Sequence, residues 1–362
     1  GQPCVLASAT TESDVTPTGS AFPPIRPLLL LLLVLCWAPI AEAEIGSHQA
    51  KVPVHEIQLE NCMTLLLVNQ PESTTVAAGW MVGVGSADDP AERSGLSHLL
   101  EHMMFKGTDT VGTRNAPQEE RLLDQIDELW ARRQQTLAQT DAATASIKKQ
   151  RKAVRQVEDL TSEIESLERQ AEKLAYLGEF SFLYSEQGGI GLDANTLQDS
   201  TLYFVTLPAD KLELWFWLES NRLLKPVFRQ FYTEVQVVHE ERRLRIESTP
   251  TGLLDERLRA LFWGDSAYSW HPMGHADHID QVSRSDATRF FRTHYRPDNL
   301  TAALVGAFDV EQVAAWAQLY FGRLPGLPKP DTTVAPSIVT STGEKRFEDV
   351  CNCPPQVQIL YS

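Results

Sequence analysis

The sequence reads as an α+β chain with a helical hairpin set into it, and three observations carry that reading. From residue 52 onward, short runs of β-forming residues alternate with amphipathic helical stretches, divided by Gly, Pro, Asn and Asp. Between residues 118 and 177, apolar or small residues recur at Ala153, Val157, Leu160, Ile164, Leu167, Ala171 and Leu174. Those steps alternate four and three, the heptad seam of a helix packed along a second helix. The composition, 43% apolar and 22% charged over 362 residues, is that of a globular protein with room for one large domain or about two ordinary ones.

The first 43 residues stand apart. Arg26 precedes LLLLLLVLCWAPI, which is short for a transmembrane helix and ends in the small-x-small pattern Ala41-Glu42-Ala43. This reads as a secretory signal with cleavage after Ala43, leaving no membrane span in the mature chain. The implied location is secreted or periplasmic, with a retained N-terminal anchor as the competing reading. Leu35 before Cys36 argues against a lipoprotein signal. Cys62, Cys351 and Cys353 remain after cleavage, an odd number, and read as incidental.

Beyond the signal, HEIQLENCMTLLLVNQ suggests two short strands about a turn at Glu60-Asn61, and TTVAAGWMVGVGS a longer buried strand. The first hairpin arm, EERLLDQIDELWARRQQTLAQ, starts its seam at Leu122, Ile126 and Leu129, and TDAATAS supplies a polar bend. The two arms form an antiparallel coiled coil whose ends lie close together, so it leaves and re-enters the fold without disturbing it. It reads either as a solvated decoration or as a device for partner binding or substrate gating. Its basic run, Lys148-Lys149-Gln150-Arg151-Lys152, reads as a solvated bend, and a net charge of −16 argues against nucleic acid as a partner. Thr201 to Leu207 is rich in β-formers. ADKLELWFWLESNRLL is a helix whose Trp215, Phe216 and Trp217 belong to a core. A helix over Glu234 to Glu247, broken by Thr249-Pro250, precedes the short helix LLDERLRALFW. The tail reads helix, turn, strand (Leu300 to Val305), helix.

The chemistry is concentrated in His98-Leu99-Leu100-Glu101-His102. Two imidazoles four residues apart share one face of a helix, a good spacing for gripping one metal ion. Glu101 rises near that face, where a carboxylate can take the proton of a metal-activated water. The order H-x-x-E-H is the inverted form of the commoner H-E-x-x-H zinc helix. His271, His275 and His278 also cluster, but they read as loop residues rather than as a second metal site.

The run SGLSHLLEHMMFKGT resembles the active-site helix of the pitrilysin/insulinase family of zinc peptidases, which includes the mitochondrial processing peptidases. That resemblance implies a third ligand from a later helix. The matching segment is Glu234-Val235-Gln236-Val237-Val238-His239-Glu240-Glu241. It makes Glu241 the third ligand of one Zn²⁺ beside His98 and His102, and Glu234 a second carboxylate near the metal. The bland alternative for Glu234, Glu240 and Glu241 is a solvated acidic patch beside Arg242, Arg243 and Arg245. Glu241 follows His102 by 139 residues, more than in simpler members, and the hairpin accounts for the excess. The resemblance further implies a mainly antiparallel sheet with helices packed on one face, the processing-peptidase type of metallohydrolase fold. GLDANTLQDST resembles the family's substrate-pairing edge strand, with Asp193 where Asn is usual. The implied division is a zinc-binding domain over 44–283, carrying the insertion 118–177, and the start of a second, homologous domain over 284–362. PPQVQILYS reads as that domain's next strand.

Together these imply a zinc-dependent metalloendopeptidase acting on peptides or unfolded polypeptide, with Glu101 as general base. A partner subunit or second half-chain would complete the active site. The alternative is a non-catalytic family member serving as a zinc-binding assembly or recognition subunit.

Overall fold

The computed structural model describes residues 52–140, 147–326, 343–348 and 359–360. The signal segment, all of the TDAATAS bend after Thr140, Cys351, Cys353 and most of PPQVQILYS lie outside the described residues. The elements below all belong to the compact unit that begins at Val54. Among the described residues no helix is long and apolar enough to cross a membrane.

Six strands form one sheet: β1 (His55–Gln58), β2 (Thr64–Asn69), β3 (Thr75–Val82), β4 (Ile190–Thr196), β5 (Thr201–Pro208) and β6 (Leu300–Gly306), in the order β1-β2-β6-β3-β5-β4. Every pairing is antiparallel except β2 with β6. Period-two alternation sends one side of each strand inward. On β5, Thr201, Tyr203, Val205 and Leu207 are buried while Leu202 and Phe204 are exposed; on β3, Val76, Ala78, Trp80 and Val82 are buried. The helices pack on this one face, so the fold class expected from the sequence holds.

The helices, in chain order, are α1 (Leu96–Met103), α2 (Ala116–Thr140), α3 (Ile147–Glu172), α4 (Glu179–Glu186), α5 (Leu212–Leu224), α6 (Phe231–Arg242), α7 (Gly252–Trp263), α8 (Ala276–Ile279), α9 (Arg284–His294) and α10 (Val310–Tyr320). Leu96, Leu99, Leu100 and Met103 of α1 and Trp215, Phe216 and Leu218 of α5 enter the main core. Trp217 is only half-buried. One polar node sits inside that core. Trp80 Nε1 (2.6 Å) and Arg222 Nε (2.5 Å) donate to Glu219 Oε2, and the Tyr184 hydroxyl donates to Oε1. The Arg222 guanidinium lies over the Tyr203 ring at 4.7 Å.

Helices α2 and α3 form the expected antiparallel hairpin. Its two ends meet: Thr113 bridges Ala175, and Arg114 N donates to Leu174 O at 2.7 Å. Ile126, Leu129, Leu160 and Ile164 are buried between the arms, with Leu123 buried in the place expected for Leu122.

The segment after residue 284 supplies β6, which inserts between β2 and β3 in the middle of the same sheet. Its buried positions, Leu300, Ala302, Leu304 and Gly306, are apolar or small, and they fill the centre of the sheet. Cys62, read as incidental, is disulfide-bonded.

Candidate active site

The site is made where α1 and α6 face each other beneath the sheet edge. α1 starts at Gly95, whose φ of 94° is a left-handed conformation that glycine adopts without strain. A Cβ there would sit 2.7 Å from Met273 O, so the position is closed to side chains. The first-turn amides find a partner in Asp89, which accepts from Gly95 N at 2.7 Å and from Ser97 N at 2.8 Å. The Ser97 hydroxyl donates to the same carboxylate at 2.5 Å. Burial pushes the Asp89 carboxyl up to about 7, against the pull of these three donors.

From this anchored helix His98, Glu101 and His102 reach the site, and from α6 come Glu234 and Glu241. Glu241 Oε2 lies 3.6 Å from His98 Nε2 and 3.2 Å from His102 Nε2. Among the described residues this trio is the one His/Cys/Asp/Glu group whose ligand atoms all lie within 4.8 Å of one another. The Glu241 Oε2 atom is buried without a hydrogen-bond partner, an orphan that a cation between the three groups would satisfy. Two imidazoles and one carboxylate are also the donor set of a catalytic zinc site with an open fourth position. The residues therefore fit the ion.

The charge state suits it as well. Burial and the neighbouring His102 lower the His98 pKa to about 3, so that ring is the neutral form a metal requires. His102 is also desolvated by burial, but Glu234 and Glu241 outweigh this and raise its pKa to about 9. Two carboxylates that hold a proton on His102 would hold a divalent cation in its place. Burial opposes ionisation of Glu234, yet its contacts with His102 and Lys106 draw its pKa below the usual carboxylate range. For Glu241 the contact with His102 comes first, and its pKa too is lowered.

Glu234 Oε1 is 2.9 Å from His102 Nδ1, the ring nitrogen facing away from Glu241, and its other oxygen meets the Lys106 ammonium. Glu240 faces away and pairs with Arg243 at 2.6 Å. Glu101 is buried, and burial raises its pKa, while the Thr196 hydroxyl donating to Oε2 works in the other direction. Thr196 ends β4, and β4 is at the edge of the sheet, so Glu101 and that open edge are neighbours. Asp193 in that edge is exposed and turns its Oδ1 to Ala194 N at 2.9 Å. His271, His275 and His278 are not among the three ligand groups: Met273 N donates to His271 Nδ1 at 3.2 Å, and His278 Nδ1 lies 2.9 Å from the Ser94 hydroxyl.

Sequence reasoning missed Lys106, Thr196, Asp89 and Arg245. Lys106 follows α1 by three residues, and its partner Glu234 comes from a different helix, so no local spacing pointed to it. Arg245, 3.0 Å from Glu241 Oε1, lies four past that residue and was read only as part of a solvated patch. Nothing in the spacing singles out Asp89 or Thr196, because their partners are set by tertiary packing.

Two family models match the chain: "Insulinase (Peptidase family M16)" over residues 64–126 and "Peptidase M16 inactive domain" over residues 281–360. Glu234 and Glu241 fall between the two matches. The chain is 24% identical to the zinc protease PqqE of Helicobacter pylori over 283 residues, 77% of this chain and 49% of that protein. It is 34% identical to Protease 3 of Escherichia coli K12 over 107 residues, covering 27% of this chain and 11% of that one. Among solved structures, a protease from Helicobacter pylori superposes with a TM-score of 0.56 at 21% identity, over 77% of this chain and 52% of the other. The first half of the periplasmic protease PqqL from Escherichia coli gives 0.55 at 18% identity, over 78% and 48%. The chain thus spans about half the length of the PqqE protein it matches. Over residues 64–126 and 281–360, and in its fold, this chain is similar to the insulinase/pitrilysin peptidases, peptidase family M16.

Proposed function

We propose that this chain is a zinc-dependent metalloendopeptidase acting on extended peptides or unfolded polypeptide, working outside the cytoplasm. The observation that carries the reading is the convergence of His98, His102 and Glu241, with an orphaned carboxylate oxygen turned to both imidazoles. When bound, the ion supplies Lewis acidity, polarising the scissile carbonyl and making a nearby water acidic. Glu101 takes the proton of the attacking water and returns it to the leaving amine. Its buried setting keeps competing water away, and the Thr196 hydroxyl holds one oxygen so that the other faces the reacting atoms. Glu234 fixes the tautomer and orientation of His102. Substrate lies along β4 as an added strand, joined by main-chain hydrogen bonds, which orders the scissile bond beside Glu101. A partner subunit or further half-chain supplies contacts on the substrate's other side. The residues that would hold the ion all fall within the 44–283 segment.

The test is cleavage of an unstructured peptide by the purified chain, alone and with candidate partner subunits. Turnover stopped by a chelator and restored by zinc is expected. Glu101→Gln should keep zinc and lose turnover; wild-type turnover in that variant would overturn the mechanism.

A further inference from the structure

The hairpin does not hang free in solvent. Its lower half rests on the N-terminal end of α6, the helix that carries Glu234 and Glu241. The Trp130 and Tyr232 rings stack with centroids 5.0 Å apart and planes 14° from parallel. The Tyr232 hydroxyl donates to Asp127 Oδ1 at 3.0 Å, and Arg284 of α9 donates to Asp127 Oδ2 at 2.8 Å and to Asp124 at 2.7 Å. Tyr232 and Val227 pack against the hairpin's own buried cluster of Leu123, Ile126, Leu129, Leu160 and Ile164.

The root of the hairpin reaches the other metal helix as well. Arg229, just before α6, is buried and pairs with Glu119 of α2 through Nε at 2.6 Å and Nη2 at 3.1 Å. Its guanidinium also donates to Lys106 O at 2.8 Å and to Thr108 O at 2.5 Å, in the segment that leaves α1. One side chain therefore ties together the end of α1, the start of α2 and the start of α6. The start of α6 has no capping side chain of its own and enters through Gln230 at a φ of 53°, an uncommon conformation outside glycine. Gln230 Nε2 meets Glu172 of α3 at 3.3 Å.

We infer that the α2–α3 hairpin is a clamp: Glu119, Asp127 and Trp130 are positioning residues that fix α6 against α1 and so set the reach of Glu241 to the two imidazoles. This rests on the metal reading above. Nine residues separate Tyr232 from Glu241, a lever of about 14 Å at the α-helical rise. A tilt of α6 by about 5° about its clamped end would move Glu241 by about 1 Å, against a tolerance of roughly 0.2 Å in metal–ligand distance. A purely decorative hairpin would need neither the buried Glu119–Arg229 pair nor an aromatic stack on the ligand helix.

The experiment measures zinc affinity of the full chain by competition with a chromophoric chelator, alongside thermal unfolding of the zinc-free protein. Trp130→Ala should weaken zinc binding about tenfold, the size of effect seen when support for a ligand is removed. Trp130→Phe should recover most of the loss, and Val154→Ser, on the exposed outer face of the hairpin, should match wild type. Wild-type zinc affinity in Trp130→Ala, with only the unfolding temperature lowered, would make the contact merely structural and overturn the clamp. If Trp130→Ala does not fold, Asp127→Asn and Tyr232→Phe decide, since both keep the packing. Several-fold weaker binding supports the clamp, and wild-type affinity in both overturns it. A wild-type chain that binds no zinc overturns the metal reading itself, which separates that failure from failure of the clamp.

Discussion

Glu234 Oε1 lies 2.9 Å from His102 Nδ1, so the carboxylate grips the imidazole from the side opposite Glu241. This holds the ring in the orientation that turns Nε2 towards Glu241, and the Lys106 ammonium keeps Glu234 itself in place. Glu234→Gln keeps the shape and removes the charge. Zinc affinity should fall about 10–100-fold, the usual cost of losing a ligand's supporting group. Chelator competition reads this directly, and an unchanged dissociation constant would remove Glu234 from the site.

Thr196 donates its hydroxyl to Glu101 Oε2 from the last position of the edge strand. Thr196→Val keeps the volume and removes the donor. A hydrogen bond to a charged acceptor contributes about 1.5 kcal/mol or more, so kcat should fall roughly tenfold with KM little changed. Thr196→Ser should restore most of it. A change confined to KM would mean that Thr196 serves the docking edge alone.

The buried node of Trp80, Tyr184, Glu219 and Arg222 bears on stability rather than chemistry. Glu219→Ala leaves the Arg222 guanidinium buried without its carboxylate, and strips the Trp80 and Tyr184 donors of their acceptor. Breaking such a pair from one side costs about 3–5 kcal/mol. Denaturant unfolding measures it; a loss under about 1 kcal/mol would show that water enters the space and solvates the cation.

Burial, with the Arg296 guanidinium nearby, lowers the His294 pKa from the ordinary 6.5 to about 4. Between those values the unfolded chain takes up a proton that the folded chain does not. Folding stability from this group is therefore complete above pH 6.5 and is lost as pH falls towards 4. One such group contributes a slope of at most about 1.4 kcal/mol per pH unit, and partial exposure of the ring reduces this. His294→Gln should flatten the unfolding temperature against pH in that window relative to wild type. Identical pH profiles would place the His294 ring in solvent.

Much of the fold was legible because it depends on local pattern. The strands about Glu60-Asn61, the β3 and β5 runs, and the two hairpin arms all follow from period-two or heptad alternation. The place of β6 was not legible. Its alternation marks it as a strand, but a parallel partner far back in the chain, such as Leu67 for Leu304, is set by tertiary packing rather than by local pattern. The same holds for the disulfide at Cys62, which no cysteine spacing announces.

By itself the sequence determined the helix-borne pair His98 and His102 with Glu101 between them, because helical pitch alone puts those groups on one face. It also named Glu241 and Glu234 through their resemblance to a known ligand helix. Only the tertiary structure decided that Glu241 Oε2 faces both imidazoles, that Thr196, Lys106 and Arg245 attend the carboxylates, and that the hairpin grips α6. The reason is range. Pitch and alternation act over a few residues, whereas a contact between distant parts of the chain is fixed by the packing of whole elements, which no local pattern encodes.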